Sequence, residues 1–102
     1  VQAPELMKRI QAGRAPAVLD VRTGLEFRQG HIPGAIHAPA LKLLFKLAKF
    51  PSDKSAQLVI TCEHGPRALT AQSILAAYGF RNTELLEGHM AGWKKAGLPL
   101  EK

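Results

Sequence analysis

The feature that most constrains this chain is a junction near its middle. Gln57-Leu58-Val59-Ile60-Thr61 is its most strand-like run; it ends directly at Cys62, and a helical pattern begins at Pro66 or Arg67. An unbroken apolar and β-branched run suits a strand with both faces covered, and proline suits the first turn of a helix because its missing N–H would be unpaired there anyway. A strand handing over to a helix within a few residues implies an α/β unit. In open α/β sheets the loops at the carboxyl ends of strands face a crevice where ligands gather.

The remainder of the sequence repeats the alternation. Pro4 can open a helix that carries Leu6, Met7 and Ile10 on one face and stops near Gly13, and Ala17-Val18-Leu19-Asp20-Val21 reads as a buried strand. Thr23 to Gly30 has room for a short helix, and His31-Ile32-Pro33-Gly34 is a turn leading to a brief strand at Ala35-Ile36-His37. Leu41 to Phe50 is helical in period and cationic, with Lys42, Lys46 and Lys49 on one side; Pro51-Ser52-Asp53 breaks it. Such a segment could touch an anionic membrane, but it is short for an anchor, and a helix that covers the sheet with its lysines in water accounts for it. The helix after Cys62 runs to Gly79, Thr83 to Leu86 forms a last strand, and Met90 to Ala96 a last helix before Gly97 and Pro99.

A mixed, non-repetitive chain of 102 residues, 46% of them hydrophobic, fits a single domain over residues 1–102. The sequence shows no apolar run long enough to span a membrane and no signal-peptide pattern, so the expected location is cytoplasmic, with membrane association only through a segment outside this sequence. It begins at Val1 rather than Met, which leaves room for a processed form or a fragment. One cysteine excludes an internal disulfide, and one cysteine with four histidines in no paired spacing argues against a structural metal. The net charge of +6 favours anionic partners, yet the basic residues are scattered and aromatics make up only 6%, which argues against nucleic acid. The expected oligomeric state is a monomer.

The loop Cys62-Glu63-His64-Gly65-Pro66-Arg67 carries the chemistry. It is short enough to curl around its own centre, and Gly65 lets the backbone turn without a side-chain clash. Its amides would then point inward as an anion nest. That nest, a helix N-terminus and Arg67 all favour the thiolate, the reactive form of cysteine, without a dedicated histidine base. A lone cysteine is most often an inert small hydrophobe, but a strand end flanked by Glu63, His64 and Arg67 is a poor place for one. His64 could donate to a bound anion or simply face solvent.

Several ordered motifs now converge: Asp20-Val21-Arg22, Glu26-Phe27, Gly30-His31-Ile32-Pro33-Gly34-Ala35, the Cys62 to Arg67 loop, Leu86-Glu87-Gly88, Gly92-Trp93 and Gly97-Leu98-Pro99. Together they make the chain resemble a single-domain rhodanese over nearly its whole length. The resemblance implies a sheet of about five mostly parallel strands with helices on both faces, Val1-Gln2 being the remnant of a clipped first strand. It implies a sulfurtransferase in which Cys62 accepts a sulfane sulfur from a small anionic donor such as thiosulfate, becomes a persulfide, and yields the sulfur to cyanide or a thiol, such as glutathione or a thioredoxin-like protein. No metal or organic cofactor is implied. Glu63, His64, Gly65, Pro66 and Arg67 would bind the donor, and Asp20 and Arg22 would support the loop by charge-assisted bonds. Trp93 reads as a core anchor and Glu87 as a hydrogen-bonding neighbour of the loop.

Two positions depart from the family pattern. Glu63 sets a negative charge beside the nucleophile, which would offset Arg67 and favour polysulfide or persulfide over doubly charged thiosulfate. His89 stands where a second glycine is commoner, so it would loosen the turn or face the active-site mouth. A cysteine-dependent phosphatase or arsenate reductase is the alternative enzyme, but it needs one more residue between cysteine and arginine, and position 68 is Ala. A non-catalytic module of the same fold is the third reading.

Overall fold

A computed structural model describes residues 1–44, 51 and 53–102 of the chain. Nine elements alternate among the described residues: α1 (Ala3–Gln11), β1 (Ala17–Asp20), α2 (Gly24–Gln29), β2 (Ile36–His37), α3 (Ala40–Leu44), β3 (Leu58–Thr61), α4 (Pro66–Ala77), β4 (Thr83–Leu85) and α5 (His89–Lys95). The helical reading of 41–50 falls largely on residues 45–50, which lie outside the described residues together with residue 52; the part described begins one residue earlier, at Ala40. Leu43 is the residue that α3 buries, while Leu41 and Leu44 face outward.

The strands form one parallel sheet in the order β2-β1-β3-β4. Leu19 pairs with Ile36 on one side and Ile60 on the other, and Ile60 pairs with Leu85. The described residues therefore hold four strands, where the sequence suggested about five. The reason lies at Val1: its nitrogen donates to Leu85 O at 2.9 Å and its carbonyl accepts from Glu87 N at 2.8 Å. That is parallel pairing against the free edge of β4, but Ala3 already starts α1, so the pairing is one residue deep and no strand develops.

Side chains of successive strand residues point to opposite faces, and this alternation builds two cores. Leu19, Val21, Leu58, Ile60 and Cys62 pack on one face with Leu43 of α3 and with Ala68, Ala71 and Leu75 of α4. Val18, Val59 and Leu86 pack on the other with Leu6 and Met7 of α1 and with Met90 and Trp93 of α5. Helices on both faces are what the all-buried pattern of β3 requires. Trp93 is fully buried and its indole N–H donates to Pro99 O at 2.9 Å, which ties the chain end across α5. The residue that follows β3 is held from both sides: Cys62 packs in the α3 and α4 core, and its carbonyl accepts from Met90 N of α5.

Candidate active site

Cys62 follows β3 directly and is fully buried. Gly65, at φ +132° just before Pro66 opens α4, donates its N–H to the sulfur at 2.9 Å. The carbonyls of Cys62 and Glu63 turn the other way and accept from Met90 N (2.9 Å) and Ala91 N (3.1 Å), amides of the first turn of α5 that have no partner within the helix. The peptide bonds of this loop are trans, so the N–H that follows each of these carbonyls points away from α5. The amides of Glu63 and His64 thus face the same side of the sheet as the Cys62 side chain, which packs with the α3 and α4 core. One sulfur-bound amide and two more on the same side are the elements of an anion nest.

Charged side chains brace this loop at both ends. Asp20 and Arg22, both fully buried, form a fork: Nε and Nη2 of Arg22 donate to the carboxylate at 2.9 and 2.7 Å. Nη2 also donates to Gly30 O at 2.8 Å, and Nη1 reaches Glu63 Oε1 at 3.2 Å. Burial opposes the charge of Arg22, but Asp20 and then Glu63 outweigh it and raise the guanidinium above its ordinary range. Lys94 closes the row with Nζ at 3.2 and 3.3 Å from the two Glu63 oxygens. Asp20, Arg22, Glu63 and Lys94 alternate in sign and sum to zero, so the charge of Glu63 is compensated within the row.

At the other end, Arg67 lies against Glu26, with Nη1 to Oε1 at 2.6 Å and Nη2 to Oε2 at 3.0 Å. Glu26 is fixed in turn by a capping box: its N–H donates to Thr23 Oγ1 at 3.3 Å, and Thr23 N donates to Glu26 Oε1 at 3.0 Å. Arg67 therefore faces α2, and its effect on the sulfur is that of a nearby positive charge. Its own charge is favoured first by Glu26 and, more weakly, by Cys62 and Glu63. His64 is exposed, whereas His89 is 9% exposed and its Nδ1 accepts the Cys62 N–H in a long bond of 3.4 Å.

The Glu26–Arg67 pair leaves a pH signature. The Arg67 hydrogen bond holds the Glu26 carboxyl at about 2 against an ordinary 4.5. A depressed carboxylate contributes stability that is complete above the ordinary value and is lost as pH falls through the lowered one. We expect melting temperature to decline between pH 4.5 and about 2, with a smaller decline in Glu26→Gln. The pair is partly exposed to water, so the difference is on the order of 1 kcal/mol or less. Acid titration of both proteins followed by circular dichroism checks it.

The site thus brings together Cys62, Glu63, Gly65, Arg67, Asp20 and Arg22, and leaves His64 at the surface. Glu26, Lys94 and His89 are the additional partners of the loop. The Thr23-x-x-Glu26 capping box was a visible signal for the first, although its pairing with Arg67 was not. The cavity nearest this loop, about 280 Å³, is lined by Val21, Arg22, Thr23, Pro39, Ala40, Leu41 and Arg67. Two larger ones, about 570 and 530 Å³, include Asn82 and Gln57 at the opposite, amino-terminal ends of β4 and β3. Both lie at the end of the sheet away from Cys62, and neither is lined by any residue of the Cys62 to Arg67 loop.

Comparison with known proteins agrees with this placement of the fold. The profile of the Rhodanese-like domain family matches residues 2–96. A sulfurtransferase of Allochromatium vinosum is 28% identical over 100 residues, covering 98% of this chain and 92% of that protein. An HTH-type transcriptional regulator of Mycobacterium tuberculosis is 33% identical over 99 residues; the alignment covers 96% of this chain but only 42% of the regulator. The human single-domain sulfurtransferase TSTD1 superposes with a TM-score of 0.79 at 27% identity, over 93% of this chain and 94% of that one.

Proposed function

Since the chain belongs to the rhodanese-like domain family, we propose that it is a sulfurtransferase working through a persulfide on Cys62. The reading is supported by relatives named as sulfurtransferases and, above all, by the Gly65 N–H pointing at the Cys62 sulfur from the mouth of β3. In the first step the Cys62 thiolate attacks the outer sulfur of thiosulfate. The sulfur–sulfur bond of the donor breaks, sulfite leaves with its electron pair, and Cys62 becomes a persulfide anion. In the second step cyanide or a thiolate attacks the outer sulfur and the Cys62 thiolate returns as leaving group. Charge and electrons balance without an external oxidant, reductant or cofactor.

The negative charge stays on sulfur through both steps, at the resting thiolate and at the persulfide, so one set of inward amides serves both. The charge compensation of Glu63 by Arg22 and Lys94 removes the penalty that a lone carboxylate would impose on thiosulfate. Accordingly, thiosulfate and polysulfide should both load Cys62, with rate constants within about tenfold of each other. Stopped sulfur-loading reactions with cyanide or glutathione as acceptor measure this. A polysulfide preference well beyond tenfold would reinstate Glu63 as an obstacle to the dianion. For a phosphatase, by contrast, the guanidinium has to close over the anion, whereas Arg67 is held by both Glu26 oxygens.

A further inference from the structure

His89 opens α5 with a backbone φ of +51°, the left-handed conformation that side chains other than glycine and asparagine seldom adopt. It stands at the start of α5, whose Met90 and Trp93 pack on the face of the sheet opposite the Cys62 side chain. The imidazole touches the loop at two points. Nδ1 accepts the Cys62 N–H at 3.4 Å, and Nε2 stands 3.3 Å from where a Cβ on Gly65 would be. Gly65 is the residue whose N–H reaches the sulfur. The bonds from Met90 N and Ala91 N to the loop carbonyls are backbone bonds and do not depend on the residue at 89; the Cys62 amide bond is the one that does.

We propose that His89 is a positioning residue for the nucleophile: its neutral imidazole, protonated on Nε2, anchors the Cys62 amide on Nδ1 and backs Gly65, so that the Gly65 N–H stays aimed at the sulfur. The neutral form is required because a protonated ring has no lone pair at Nδ1 to offer. The groups facing the ring are favourable to it. Burial, and then the neighbouring His64, lower the pKa of His89, while the Glu63 carboxylate is turned toward Arg22 and Lys94.

The proposal rests on the sulfurtransferase reading for its consequence but is tested without a sulfur donor. His89→Gly and His89→Asn both accept a positive φ; the first removes the side chain and the second restores an amide oxygen as acceptor. The measurement is the rate of Cys62 alkylation by iodoacetamide across a pH series, with a thermal melt of each variant. We expect His89→Gly to react at least about fivefold more slowly near neutral pH, to recover at alkaline pH, and His89→Asn to stay within about twofold of the parent. Equal rates in His89→Gly and the parent at every pH, or a His89→Asn as slow as His89→Gly, would overturn it. If His89→Gly melts early, the comparison of His89→Asn with the parent at matched folded fraction decides. Failure of sulfur loading in all three proteins, with the alkylation differences intact, would count against the persulfide mechanism and leave the positioning role standing.

Discussion

Replacing Asp20 by alanine is expected to lower stability by about 3–5 kcal/mol, because it strands the guanidinium of Arg22 in a site with 1% exposure. In a domain of this size, a loss near the lower end of that range lowers the melting temperature by about 12 °C or more. The expectation follows from the bonding: Asp20 accepts from the Arg22 backbone N, Nε and Nη2, and no other carboxylate reaches Nε or Nη2 among the described residues. The remaining partners, Gly30 O and Glu63, hold only the outer nitrogens. The double replacement Asp20→Leu with Arg22→Met removes both charges and should cost less than Asp20→Ala alone, since the penalty comes mainly from a buried charge left with Glu63 as its one counter-charge. Chemical denaturation of the three proteins is the check; a double variant no more stable than Asp20→Ala would show that the fork contributes geometry rather than charge balance.

The largest chemical effect is expected from Cys62→Ser. Serine is slightly smaller, keeps an acceptor for the Gly65 N–H, and leaves the packing against Ala68 and Ala71 nearly filled, so the protein should fold with a loss of at most about 2 kcal/mol. Sulfur transfer should nevertheless fall by at least about a thousandfold, because an un-ionised hydroxyl is a poor nucleophile toward a sulfane sulfur and the Glu63 carboxylate, held by Arg22 and Lys94, is not free to activate it. His64 is exposed, and His89 directs Nδ1 to a backbone amide. Retained melting temperature with lost transfer separates chemistry from folding in a way that Asp20→Ala cannot.

The parts of this molecule legible from sequence are those fixed by local pattern. The run Leu58 to Thr61 announces a doubly buried strand, and Pro66 after Gly65 announces the helix start, so the strand, cysteine and helix order follows directly. Trp93 on an amphipathic segment reads correctly as a core anchor. The pairings that brace the loop were not legible, because Glu26 with Arg67 and Arg22 with Glu63 are each separated by 41 positions and leave no periodic trace. The strand count failed for a related reason: whether Val1 adds a strand depends on where α1 begins, and helix starts are blurred in sequence by a residue or two. Glu63 illustrates a charge whose sequence neighbour, Arg67, is not its partner; Lys94, in a different element, supplies part of the compensation.

The mass of the intact protein after incubation with thiosulfate or polysulfide tests the persulfide mechanism most directly. A gain of one sulfur atom, removed by cyanide and absent from Cys62→Ser, is expected. An unchanged mass with both donors, in a protein whose Cys62 still alkylates, would contradict the persulfide mechanism.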